Sequence, residues 1–303
     1  MHSVKHVTDP KELEEFRYFC SQNIPKFIRF YHLLKFHLEN ILPFTKFNLY
    51  RKTCDKTTYY YGFLEEASSI DKNCLFENWS VAECNGPFNE DDFLEGWQEI
   101  HPNSSMFQGL VVTRKIFTDS VAKLYDNSTD LHATHHPCAS FYMNKEQIDR
   151  VNNWTEPKEF LTENGYRLDE ADPDKDAAIL HKRWRYGKPG YEHETGLRLK
   201  HWPAVCVRFN RAAEPVSHEM LSYLGQLTAQ FTVEEHRYKG LGTIVERALA
   251  KKVIKAEMIP FKEVEHYNAS VYKRSCADEF WTLLRDEQGN EETIVYVNIR
   301  SET

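Results

Sequence analysis

The sequence predicts an α+β protein, and three observations carry that reading. Strand-like runs at residues 204–209, 215–220 and 225–233 are punctuated by Asn210 and Gly225, as in an antiparallel meander. Residues 240–256 place Leu241, Ile244, Val245, Ala248, Leu249 and Val253 on one apolar stripe, the pattern of an amphipathic helix. Helix and strand signals are also mixed through the first half of the chain.

Taken in order, residues 10–16 read as a capped helix start, and residues 27–42 carry apolar side chains at helical spacing. Aromatic-rich strands are expected at 47–50 and 57–64, a further strand near 74–81 and a helix over 91–100. Residues 110–125 fit a helix or a strand pair. The polar, punctuated stretch 144–164, with Asn152-Asn153-Trp154-Thr155-Glu156-Pro157, marks a boundary between an N-terminal domain, 1–155, and a C-terminal domain, 156–303. A short strand at 166–168 follows, then helices over 172–186 and 191–199. After the long helix come a strand at 259–261, a helix at 268–276 and strands at 280–285 and 294–299.

Two domains suit a chain of 303 residues, and 41% hydrophobic residues let each bury a core. The net charge of −8 supplies no field for a polyanion, so no nucleic-acid partner is expected and an anionic ligand must be held locally. No apolar run reaches the ~20 residues that span a bilayer, and the first residues lack a signal-peptide core. Seven scattered cysteines without a C-x-x-C pair suit free thiols. A soluble, intracellular protein without a membrane partner is therefore expected, cytoplasmic, with mitochondria as the alternative.

The segment with chemical content runs from Phe231-Thr232-Val233 through Arg237-Tyr238-Lys239-Gly240-Leu241-Gly242 to Thr243, that is, from a strand through a glycine loop into a helix start. Free N–H groups at a helix start and the helix dipole attract phosphate, and glycines let the anion approach the backbone. A glycine pair before a helix is also a common tight turn. The loop is no Walker motif, because it lacks the spacer and the terminal Gly-Lys-Ser/Thr.

Arg237-Tyr238-Lys239-Gly240-Leu241-Gly242 resembles the R/Q-x-x-G-x-G/A loop of GNAT acyltransferases. The likeness extends over about residues 160–300. Trp202-Pro203-Ala204-Val205-Cys206-Val207-Arg208, Pro215-Val216-Ser217, Tyr223-Leu224-Gly225-Gln226-Leu227 and Phe231-Thr232-Val233-Glu234-Glu235-His236-Arg237 resemble successive segments of the glycine N-acyltransferase-like branch. The resemblance implies a C-terminal GNAT fold, a mixed and mostly antiparallel sheet flanked by helices, beside an α+β N-terminal domain that could be a degenerate copy. No internal repeat is visible in the sequence.

The resemblance further implies an acyl-CoA co-substrate, without metal, and direct acyl transfer to glycine, another amino acid or a small amine. The diphosphate would lie on the amides of Tyr238, Lys239, Gly240, Leu241, Gly242 and Thr243, and the pantetheine arm along Phe231, Thr232 and Val233. Asn268 matches the asparagine that contacts this arm; a plain helix N-cap is the other reading. The family's glutamate base aligns with Gln226, which takes up no proton at neutral pH. His218 is then the best chemical candidate for a base, ahead of Glu219, Glu234, Glu235 and His236. The family's tyrosine acid aligns with Ser275, and Tyr272, one turn earlier, is its candidate substitute. Gln226 also opens the alternative of an acyl-CoA-binding or regulatory protein with weak or no catalysis.

Two rival signals carry less. His132, His135, His136 and Cys138 are metal-ligand types without recognised companions, and Pro137 suggests an irregular loop there. Tyr59-Tyr60-Tyr61 fits a sheet core better than a base-stacking surface.

Overall fold

A computed structural model describes residues 3–66, 78–101, 109–126 and 131–301. The first half runs β1 (Lys5–Val7), α1 (Pro10–Gln22), α2 (Ile28–Leu38), β2 (Thr45–Cys54), β3 (Thr57–Glu66), β4 (Trp79–Asn85), α3 (Glu90–Ile100), β5 (Gly109–Arg114), α4 (Lys115–Asp126) and β6 (Leu131–Tyr142). Two connecting helices follow, α5 (Lys145–Asn153) and α6 (Lys158–Glu163). The second half runs β7 (Tyr166–Glu170), α7 (Ala177–Arg183), α8 (Glu192–His201), β8 (Val205–Phe209), β9 (Pro215–Leu221), β10 (Leu227–Thr232), α9 (Leu241–Lys255), β11 (Phe261–Glu265), α10 (Ala269–Ala277), the short β12 (Thr282–Leu283) and β13 (Thr293–Ser301). Apart from β12, the second half repeats the element order of the first.

All thirteen strands join one mixed, mostly antiparallel sheet, in the order β1-β2-β3-β4-β5-β13-β6-β11-β10-β9-β8-β7, with β12 on β6. The α+β fold with a helix-flanked, mostly antiparallel sheet is thus the one expected. Each half closes with the other's last strand: β13 lies against β5, β6 lies against β11, and the two pair with each other from Thr293↔Ala139 to Ser301↔Leu131. The parallel contacts are brief. In the first half β4 meets β5 at Trp79↔Leu110 and Ser80↔Val111, and in the second β10 meets β11 only at Leu227↔Lys262. Beyond these pairs the strands part.

Helices α3, α4, α9 and α10 cover one face, and α1, α2, α7 and α8 the other. The tyrosine run shows the division. Tyr59 and Tyr61 are buried against Phe93 of α3, while Tyr60 stacks on Phe16 of α1 with ring centroids 4.2 Å apart. Period-two alternation puts the three rings on alternate faces of a half-apolar strand.

Several sequence expectations are corrected. The strand expected at 74–81 begins at Trp79 and continues to Asn85; residues 67–77 lie outside the described residues. The helix over 172–186 shrinks to Ala177–Arg183, because Asp172 and Asp176 spend their carboxylates on turn amides. The strand expected at 225–233 starts at Leu227; Gly225, at φ 84°, turns the chain where an added Cβ would lie 2.8 Å from His32 Nδ1. The strand at 259–261 becomes Phe261–Glu265, in which Lys262 pairs with Glu246 and Glu263 accepts from Tyr296. The irregular loop at Pro137 is in fact strand β6: Pro137 falls one residue beyond the last pair with β11, where its missing N–H is not required, and its carbonyl accepts from His266 N at 3.1 Å.

Ile294 of β13 is fully buried between β5 and β6. Ile294→Ala is expected to lower stability by about 2–5 kcal/mol in a single unfolding transition shared by both halves; two separate urea transitions would contradict the shared sheet.

Candidate functional site

Helix α9 is held from below by charge. Glu246 accepts from Lys262 Nζ of β11 at 2.6 Å and from Trp281 Nε1 at 2.9 Å, and Arg247 pairs with Asp278. Glu246, Arg247 and Lys262 are nearly fully buried, so their partners are needed to offset desolvation. They fix the helix start beside the parting of β10 and β11.

The loop that reaches this start is open. After a 3-10 turn over Glu234–His236, Tyr238 and Gly240 take left-handed conformations, at φ 62° and 78°, and Tyr238 is fully exposed. Such alternation turns successive N–H groups toward one concavity. No side chain caps the helix, and among the described residues no hydrogen-bond acceptor meets the backbone N–H groups of Tyr238, Lys239, Gly240, Leu241, Gly242 and Thr243. A Cβ built on Gly240 would meet nothing within 4 Å. Arg237 Nε donates to the Thr232 carbonyl at 2.9 Å, and Lys239 Nζ reaches Glu235 O at 3.0 Å and Tyr166 Oη at 3.3 Å, so both cations stay at the loop.

The corresponding helix start in the first half is closed. Asn89 caps α3 by accepting from Asp92 N at 3.0 Å, and Glu90, Asp91 and Asp92 fill its first turn. Those acids satisfy the helix dipole and repel an anion.

Strand β10 is half buried and bulged, with Ala229 at φ 54°, and beyond Leu227 no β11 residue pairs with it. Phe231, Thr232 and Val233 therefore lie along the gap below the loop. Gln230, on the α9 side, donates to Gly242 O at 3.2 Å and to Glu219 Oε2 at 3.3 Å, and accepts from Arg274 at 3.2 Å. Asn268 precedes α10 but does not cap it; its Oδ1 accepts from Ser270 Oγ at 3.4 Å.

The two candidate proton carriers lie on opposite faces. His218 is fully buried on the α7 face, its ring stacked on Phe231 at 5.8 Å. Burial, helped by Arg183, pushes its pKa down to about 3, so it is neutral and a weak proton acceptor at pH 7. Tyr272 sits on α10 and donates to Glu291 Oε2 at 2.6 Å; that bond and burial raise its pKa and make it a weaker acid. Glu219, buried near Glu246, is pushed well above the usual carboxylate range. Ser275, at the position of the family tyrosine, is buried.

Gln226 is buried at the closed end of the gap, one residue before the Leu227↔Lys262 pair. It donates to Tyr296 Oη of β13; Tyr296 donates to Glu263 Oε2 of β11, and Glu263 is paired with Arg29 of α2. Sequence reasoning missed Tyr296, Glu263 and Arg29. Their meeting depends on the exchange of β13. The histidines of β6 gather no ligand set: among the described residues no three His, Cys, Asp or Glu side chains are grouped to hold a metal, and no helix is long and apolar enough to cross a membrane.

No family model and no curated protein matches the sequence. Among solved structures, a Drosophila melanogaster structural-genomics protein shares the fold over 98% of this chain and 98% of its own, with TM-score 0.74 at 10% identity. Looser superpositions are found with a GCN5-related N-acetyltransferase from Kribbella flavida (TM-score 0.47, 11% identity, 86% of this chain and 91% of that one) and a GNAT-family acetyltransferase from Colwellia psychrerythraea (0.46, 11%, 98% and 100%). At 10% identity the likeness to the Drosophila protein is one of fold alone, and the other two superpositions are too loose to carry an argument.

The buried histidines set a pH response. Burial holds His32 and His218 at about 3 and His101 at about 4, below the unfolded value of 6.5. The unfolded chain therefore binds protons that the native one refuses, and stability present above pH 6.5 is lost as pH falls. Glu219 and Glu292, whose carboxyl pKa values burial raises, act in the opposite sense, while burial also lowers His37, His181 and His201 and adds to the loss. Urea melts are expected to lose at least ~1.4 kcal/mol per pH unit between pH 6 and 5; a flat profile would show that these rings titrate in the native state.

Proposed function

We propose that the protein is a GNAT-type N-acyltransferase of the glycine N-acyltransferase-like kind, which binds an acyl-CoA and passes the acyl group directly to glycine, another amino acid or a small amine. One observation carries the reading: the uncapped amides of residues 238–243 open beside a pair of strands that part after one residue pair. A diphosphate satisfies those amides and the helix dipole together. An extended arm bearing amides can bond the unpaired edge of β10 as an added strand would. The closed start of α3 makes the expected stoichiometry one cofactor per chain.

A second reading, a coenzyme-A-binding or regulatory protein with weak catalysis, is favoured by Gln226, which cannot act as the family's carboxylate base. Gln226→Glu distinguishes the two, since a large gain in thiol release from acyl-CoA and an amine would favour this second reading.

Thr243 is the exposed third residue of α9. Thr243→Asp would place a carboxylate where it satisfies the helix start, worth roughly 0.3–1 kcal/mol of stability, and where it repels a diphosphate. Calorimetric titration with coenzyme A is expected to show affinity reduced about tenfold or more, a change of ~1.4 kcal/mol, while the melting temperature holds or rises. Unchanged affinity would place the cofactor elsewhere.

A further inference from the structure

Resting on the acyl-transfer reading, we propose that the carboxylate missing at position 226 is supplied from β11, so that Glu263 takes the acceptor's proton through the phenol of Tyr296. Three observations converge on this. Gln226, Tyr296 and Glu263 form one hydrogen-bonded chain at the closed end of the gap between β10 and β11, where an acyl group on an arm laid along β10 would end. Gln226 is 95% buried, and among the described residues its Oε1 has no partner although its Nε2 is bonded to Tyr296. A buried acceptor atom left open in this way calls for a donor, and an amine is one. Finally, Lys262 turns to Glu246 under α9, so strand alternation sends Glu263 to the other face, into the gap with Tyr296.

Gln226 Oε1 would hold one N–H of the neutral acceptor amine, aiming its lone pair at the thioester carbonyl carbon. As the C–N bond forms, the C–S bond breaks and its electron pair leaves on sulfur. The surplus proton on nitrogen passes to Tyr296 Oη while the phenol's own proton passes to Glu263 Oε2, so Tyr296 ends as it began. Solvent protonates the thiolate and removes the proton from Glu263. Burial raises the pKa of Tyr296, which keeps the phenol protonated and suits it to exchange protons without forming a phenolate. Arg29 pairs with the other oxygen of Glu263 and holds the carboxylate in orientation. Cys138 of β6 and Glu265 of β11 act on Tyr296, and Cys138, Glu83 of β4, Glu292 just before β13 and His32 of α2 interact with Arg29.

The test is thiol release from acetyl-CoA and octanoyl-CoA, with glycine and n-butylamine as acceptors, run across pH beside calorimetric titration with coenzyme A. Tyr296→Phe is expected to reduce kcat about 100-fold, to leave coenzyme A affinity within about twofold, and to abolish the acid limb of the wild-type pH profile. Glu263→Gln leaves Arg29 buried without its partner and can fail to fold; Glu263→Gln combined with Arg29→Met removes both charges and is expected to reproduce the loss of the acid limb. Tyr296→Phe turnover within about threefold of wild type, with the acid limb intact, would overturn the relay and leave the acyl-transfer reading standing. A large gain from Gln226→Glu, or a wild type that binds coenzyme A without releasing thiol, would overturn the relay together with the acyl-transfer reading and favour the binding or regulatory protein. Failure to bind coenzyme A at all would remove the reading on which the relay rests.

Discussion

The pairing of β6 with β13 is the constraint on which the rest depends. Each half completes its sheet with the last strand of the other, so neither half can bury its core alone. The exchange also fixes the position of β11 between β6 and β10. Firmly laddered to β6 and touching β10 at one residue pair, β11 leaves β10 with a free edge. The gap is therefore a consequence of topology, and the open start of α9 lies at its mouth.

The two halves share an order of elements and differ in the chemistry of the helix start after the third meander strand. In the first half Asn89 and three acids satisfy the helix internally. In the second, left-handed Tyr238 and the bare, left-handed glycine cap Gly240 leave the helix start unsatisfied by side chains. Stability is given up at one of two equivalent positions, as is usual where a site is built to receive something. Buried polar groups follow the same division. Under α9 the ion pairs are mutually satisfied, whereas around Gln226 one acceptor stays open.

Much of this was legible in the sequence. The loop 237–242 and the apolar stripe of α9 announce a strand, turn and helix with free amides, because glycine placement and 3.6-residue periodicity are local properties. The aromatic strands of the first half were legible for the same reason. The strand exchange was not, since register and partner choice are decided by contacts far apart in the chain. Glu263 and Tyr296 could not be picked out before β13 was known to lie beside β6 and near β11. His218 shows the converse limit: its type suggested a base at neutral pH, and only its complete burial reveals why it is a poor one.

The most direct measurement of the central claim is amide hydrogen exchange with and without saturating coenzyme A. The account predicts slowed exchange in residues 238–243, extending into 228–233, with residues 89–93 at the start of α3 unchanged. Protection elsewhere while residues 238–243 exchange at their free rate would contradict it.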